Sequence, residues 1–115
     1  VVASNHDFQK TPSCEEMSRR LTRMEELGAD ILKLAVMPNE KKDLLRLLEV
    51  TQQISHSSQR PVITMSMGKI GVLSRICGEI TGSSLTFAAG RSASAPGQIS
   101  AEKMRRLLEE LHSIA

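Results

Sequence analysis

The sequence predicts an α/β fold of about four β-α units, with parallel strands and helices packed over them. Three observations lead there. Short Val- and Ile-rich runs at Val1–Ser4, Ile31–Val36 and Val62–Met67, with a weaker one at Ser84–Ala88, alternate with stretches of helical spacing. The first three runs begin at Val1, Ile31 and Val62, 30 and 31 residues apart. The chain has 115 residues, 40% of them apolar, enough for one modest core and too few for two.

The elements follow in order from local signals. Ser13 can cap the first helix, and Glu16 three residues on matches a capping box. Met17, Leu21, Met24 and Leu27 then keep helical spacing, and Gly28 suits a left-handed helix end. A second helix is expected from Asn39, with Leu44, Leu45, Leu47, Leu48 and Ile54 as its apolar positions, before the polar run 56–59. Pro61 leads into the third strand. A shorter helix is expected over Ile70–Cys77, and a last one from Ser100, with Met104, Leu107, Leu108, Leu111 and Ile114 on one face. The segment Gly90–Gln98 is small, polar and punctuated by Gly and Pro, the composition of a mobile surface loop.

An alternating β-α order favours parallel strands. A closed barrel of eight such units uses about 250 residues, about 31 for each. By that arithmetic residues 1–115 form a single half-barrel unit of four β-α repeats. A small open four-stranded sheet fits the same periodicity. The chain starts at Val1 on a strand-like run without an initiator Met, so sequence is expected to precede it.

Composition narrows the function classes. Fifteen Lys+Arg stand against 13 Asp+Glu, a net charge of +2 that supplies no electrostatic footprint for nucleic acid or an anionic membrane. Two Phe and no Tyr or Trp leave few stacking platforms for single strands. No run approaches the roughly 18 apolar residues of a membrane span, and the start is not a signal peptide. Cys14 and Cys77 match no metal-ligand spacing and are too few for a disulfide scaffold, which favours a reducing, cytoplasmic setting.

Lys33 is the most informative residue. It interrupts the run Ile31-Leu32-Lys33-Leu34-Ala35-Val36, and strand alternation sets it on one face with Ile31 and Ala35. Apolar surroundings disfavour the ammonium and enlarge the neutral, nucleophilic fraction, as a Schiff-base lysine requires. The plainer alternative is a lysine on a half-exposed strand with its head in water. His6 closes the first predicted strand, 27 residues before Lys33, so the two fall on adjacent strands near one level. A histidine there could shuttle protons for carbonyl chemistry; alone it would more often be a loop or capping residue.

Arg75, after the third strand, could bind a carboxylate bidentately or end in a surface salt bridge. Met65 and Met67 share a face, for which core packing is the default. Gly68-Lys69 lacks the spacing of a phosphate-binding loop. His56 and His112 read as solvated, and Lys41, Lys42, Arg105 and Arg106 as outer helix faces.

In combination these segments resemble one family. Ser4-Asn5-His6-Asp7-Phe8 with Lys10-Thr11-Pro12, then Lys33-Leu34-Ala35-Val36-Met37-Pro38, are similar to the histidine and lysine motifs of type I 3-dehydroquinate dehydratase. Arg60 to Lys69, with Gly71 and Ser74-Arg75, resembles its arginine motif, and Ser92 to Ser100 its active-site lid. The resemblance covers the C-terminal half of that family's (β/α)₈ barrel. It implies a shikimate-pathway lyase in which Lys33 forms an imine with 3-dehydroquinate and His6 is the general acid/base. It further implies that Arg75 and Gln98 hold the substrate carboxylate, that Ser94 and Ala95 belong to the lid, and that Met65, Met67 and Phe87 form apolar walls. No metal or external cofactor is implied. The family's other half supplies acidic and arginine groups for the substrate hydroxyls and the histidine, and these have no counterpart in the chain. A half-barrel exposes two strand edges, so the expected partner is the N-terminal half-barrel, or a second copy forming a two-fold homodimeric barrel. The alternatives are a catalytically silent half-barrel that self-associates or binds a partner, and another Schiff-base enzyme such as a class I aldolase.

Overall fold

A computed structural model describes residues 1–84 and 99–114. Among them three parallel strands form a sheet in the order β1-β2-β3: β1 (Val2–Asp7), β2 (Ile31–Val36) and β3 (Val62–Ser66). Helices α1 (Cys14–Glu26) and α2 (Lys41–Ser57) are the crossovers between them. A 3₁₀ turn (Val72–Arg75) and a short α3 (Gly78–Thr81) follow β3, and α4 (Ala101–Ile114) comes last. Most of the fourth predicted strand, and the whole Gly90–Gln98 loop, lie outside the described residues. At its border Ser83 bridges Val62 in parallel, and the Ser84 N–H donates to the Val62 carbonyl at 2.8 Å.

The alternation of β2 organises the core. Leu32, Leu34 and Val36 are fully buried on the back of the sheet, where they meet Met17, Leu21 and Met24 of α1 and Leu47, Val50 and Ile54 of α2. On that side the Thr51 and Thr64 hydroxyls share a hydrogen bond of 2.7 Å, and Thr51 also donates to the Leu47 carbonyl. Ser13 caps α1 by accepting the Glu16 N–H at 3.1 Å. The Glu16 carboxylate turns to Arg19 and Arg20, so the reciprocal half of a capping box is not made.

Several boundaries differ from the sequence reading. β1 runs through Asp7, so His6 lies inside the strand rather than closing it. Its polar stretch is held by pairing with β2, which local propensity does not register. Leu27 is the C-terminal cap of α1 and exposed, not part of its buried stripe. α2 begins at Lys41 because the buried Asp43 carboxylate accepts the N–H groups of Asn39 and Glu40 at 2.8 and 3.3 Å. Over Ile70–Cys77 the chain forms the tight 3₁₀ turn instead of a longer helix. Ser74 Oγ donates to the Gly71 carbonyl at 2.7 Å and accepts the Ser66 N–H at 2.9 Å, drawing the turn onto the end of β3. A Cβ at Gly71 would stand 1.9 Å from the Ser66 carbonyl oxygen.

Two glycines therefore predict different costs. Gly71→Ala forces backbone apart and should destabilise the chain by at least about 3 kcal/mol. Gly28, at φ +90° with open space around it, should cost only about 1–2 kcal/mol as Ala. Urea unfolding midpoints of the two variants check the order.

Candidate active site

The parallel register carries the site from the sequence into space. Ser4 pairs with Lys33 and Lys33 with Ile63; His6 pairs with Ala35 and Ala35 with Met65. In a pleated sheet paired residues point to the same side, so Lys33, His6 and Met65 share the face opposite α1 and α2. Lys33 and Met65 are partly buried there, and His6 is exposed. His6 and Lys33 sit on adjacent strands two residues out of register, a Cα separation of roughly 8 Å from strand spacing and rise. Among the described front-face strand positions Lys33 is the one that carries an amine.

His6 is oriented from both sides. The Phe8 ring stacks on its imidazole, with centroids 5.8 Å apart and planes 28° from parallel. Behind the strand, Asp7 turns the chain by accepting the N–H groups of Gln9 and Lys10 at 3.1 and 3.0 Å. Those bonds, with nearby Arg20, hold the Asp7 carboxyl below the usual carboxylate range. The turn is also tied to the end of β2: Thr11 Oγ1 donates to the Met37 carbonyl at 2.9 Å and Asn39 Nδ2 to the Gln9 carbonyl at 3.1 Å. The ends of the two strands that bear His6 and Lys33 are thus hydrogen-bonded to each other through this turn. The sequence reading has Phe8 only as the end of the histidine motif, without the stacking role that the structure gives it. Its exposed ring, 69% accessible, could be read only once β1 was known to continue through His6.

Arg75 departs from the surface alternative. It is 6% exposed, and neither a carboxylate nor a hydrogen-bond acceptor for its Nε is present among the described residues. Burial pushes its pKa down, yet a guanidinium stays charged at neutral pH. A buried cation without its counterion is costly, and an anionic ligand would remove that cost. Met67 follows β3 directly, its N–H bonded to the Val36 carbonyl at 2.8 Å. Phe87, Ser94, Ala95 and Gln98 lie outside the described residues.

The other candidates recede. Burial raises both free thiols, Cys14 further through Glu49, which disfavours thiolate chemistry. A cavity of about 490 Å³ is lined by Leu73, Ile76, Cys77, Ile80, Leu108, Leu111, His112 and Ile114, and by none of the predicted site residues. Among the described residues no three His, Cys, Asp or Glu converge as metal ligands, and no helix is long and apolar enough to cross a membrane.

A family model described as type I 3-dehydroquinase matches residues 1–115. The chain belongs to the type I 3-dehydroquinase family. It is 54% identical over 112 residues to the 3-dehydroquinate dehydratase of Listeria welshimeri and 57% identical over 113 to that of Clostridioides difficile, covering 97% of this chain and 44% of each relative. The chain thus spans a little under half the length of these dehydratases. A crystal structure of type I 3-dehydroquinate dehydratase from Clostridium difficile, with covalent modified comenic acid, superposes with TM-score 0.97 at 55% identity. That match covers 100% of this chain and 46% of the other. The enzyme from Geobacillus kaustophilus matches with TM-score 0.94 at 40% identity over 99% of this chain and 44% of its own. The α/β half-barrel expected from periodicity agrees with these matches to dehydroquinases.

The carboxylates behind His6 predict how the fold responds to acid. Glu16, hydrogen-bonded by Arg19 and then Arg20, is pulled down to about 2, and Asp7 is lowered as well. Both pKa values are lower folded than unfolded, so their stabilisation is complete above about pH 4.5 and fades as pH falls toward about 2. Urea unfolding at pH 5 and pH 3 should show the native chain losing more stability over that interval than Glu16→Gln.

Proposed function

We propose that the chain is the lysine- and histidine-bearing half of a 3-dehydroquinate dehydratase. The observation that carries this reading is the placement of Lys33, one pleat repeat from His6 on a single sheet face, in a member of the dehydroquinase family. The neutral Lys33 amine attacks the substrate ketone, and loss of water leaves an iminium. That cation is the electron sink that makes the neighbouring C–H acidic. Removal of this proton gives an enamine, and the enamine expels the β-hydroxyl as water. Hydrolysis then frees 3-dehydroshikimate and regenerates the amine. His6 moves the protons in imine formation, dehydration and hydrolysis. Arg75, buried without a counterion among the described residues, accepts the substrate carboxylate with Gln98. Met65, Met67 and Phe87 are the apolar walls; Ser94 and Ala95 belong to the lid. The covalent modified comenic acid in the Clostridium difficile neighbour is consistent with covalent chemistry in this family.

The site is completed by a second half-barrel. β1 is the last strand on its side of the described sheet, with an edge suited to another parallel strand. The N-terminal half of the barrel is the partner that supplies acidic and arginine groups for the substrate hydroxyls; a second copy would cover the edges without supplying them. The setting is the cytoplasm, where the two cysteines stay reduced.

Incubation with 3-dehydroquinate, borohydride reduction and peptide mapping test the nucleophile. One adduct is expected, on Lys33, and none in Lys33→Ala; a folded native chain without an adduct contradicts the reading for this half. His6→Ala should keep capture by borohydride while slowing imine release roughly 100-fold or more. Arg75→Gln should raise the substrate concentration needed for half-maximal trapping by roughly tenfold or more.

A further inference from the structure

We propose that Arg20 of α1 is a positioning residue for His6, gripping β1 from behind on both sides of the histidine. Its Nη1 donates to Asn5 Oδ1 at 3.0 Å and lies 3.9 Å from the Asp7 carboxylate. Its Nε donates to Glu16 at 3.2 Å, one turn earlier on the same helix, which fixes the direction of the guanidinium. Asn5 and Asp7 point to the helical side, so His6 between them points to the front. The Arg20 and Asp7 side chains are 25% and 18% exposed, sheltered enough for the grip to be specific.

Position in the sheet makes the grip matter. β3, at the other edge, also bridges Ser83, whereas β1 has a strand neighbour on one side only among the described residues, so no second strand holds its twist. The imidazole is a lever on that strand. A rotation of about 10° moves its tip by about 1 Å, a displacement that costs roughly 100-fold in rate for a proton-transfer group. The alternative is that Arg20 only braces α1 through Glu16. That role predicts lost stability without any change at the imidazole.

The inference rests on the proposed role of His6, and the experiment separates the two. Arg20→Gln and Asn5→Leu remove the grip; Asn5→Asp keeps an oxygen for the guanidinium; Arg23→Ala removes an exposed ion pair with Glu26 as control. Each variant of the full chain is read three ways: urea midpoint, the nuclear Overhauser contact between the His6 and Phe8 rings, and the release rate of the Lys33 imine. Arg20→Gln and Asn5→Leu should weaken the ring contact and slow release roughly 10- to 100-fold. Asn5→Asp should restore both, and Arg23→Ala should change neither. An unaltered ring contact in Arg20→Gln and Asn5→Leu, or failure of Asn5→Asp to restore it, overturns the proposal. Should Arg20→Gln not fold, the Asn5 pair decides. Should the native chain form no imine, the catalytic reading of His6 fails, and the ring contact alone still judges the grip.

Discussion

Strand alternation in a parallel sheet is the constraint on which the rest of the molecule depends. In β2 the residues on one side, Leu32, Leu34 and Val36, make the core with α1 and α2, so Lys33 must leave on the other. A one-residue slip would send the ammonium into the helical layer and three apolar side chains out of it. The same packing that stabilises the fold thereby sets the direction of Lys33. Register then does for His6 what alternation does for Lys33, because the pairing of Ser4 with Lys33 places the imidazole one pleat repeat further along β1.

Behind the sheet, polar contacts refine what apolar packing sets coarsely. Asp7 shapes the turn after His6, Thr11 and Asn39 tie that turn to the end of β2, and Ser74 folds the 3₁₀ turn onto Ser66. These bonds gather at the carboxyl ends of the strands, where ligands of parallel α/β folds collect. They also place the buried Arg75 immediately beyond β3. Among the described residues that cation has no carboxylate partner, and a bound anion would offset the cost of burying it.

Local signals in the sequence were enough for the parts of the fold that depend on near neighbours. The Ser13 cap, the left-handed Gly28 and the stripe Met17, Leu21 and Met24 act within a turn or two, and each occurs as read. Lys33 was legible because a single charge in an otherwise apolar run is conspicuous. The extent of β1 was not, since Asn5, His6 and Asp7 have little strand preference and are held by β2. The shape of the 70–77 segment depends on Gly71 meeting Ser66 and on a hydroxyl bond eight residues back. Burial of Arg75 and the reach of Arg20 to Asn5, fifteen residues away, are likewise tertiary facts that spacing alone does not encode.

The central claim is that this half of a barrel carries the nucleophile and proton-transfer groups of a dehydratase site and needs the other half to turn over. Complementation tests it most directly. The chain is mixed with a separately produced N-terminal half of a full-length relative, and 3-dehydroshikimate formation is followed by its conjugated-enone absorbance. The account predicts turnover from the mixture, little from either half alone, and none when the mixture contains Lys33→Ala. Turnover that persists with Lys33→Ala, or none from a stable complex of the two folded halves, would contradict it.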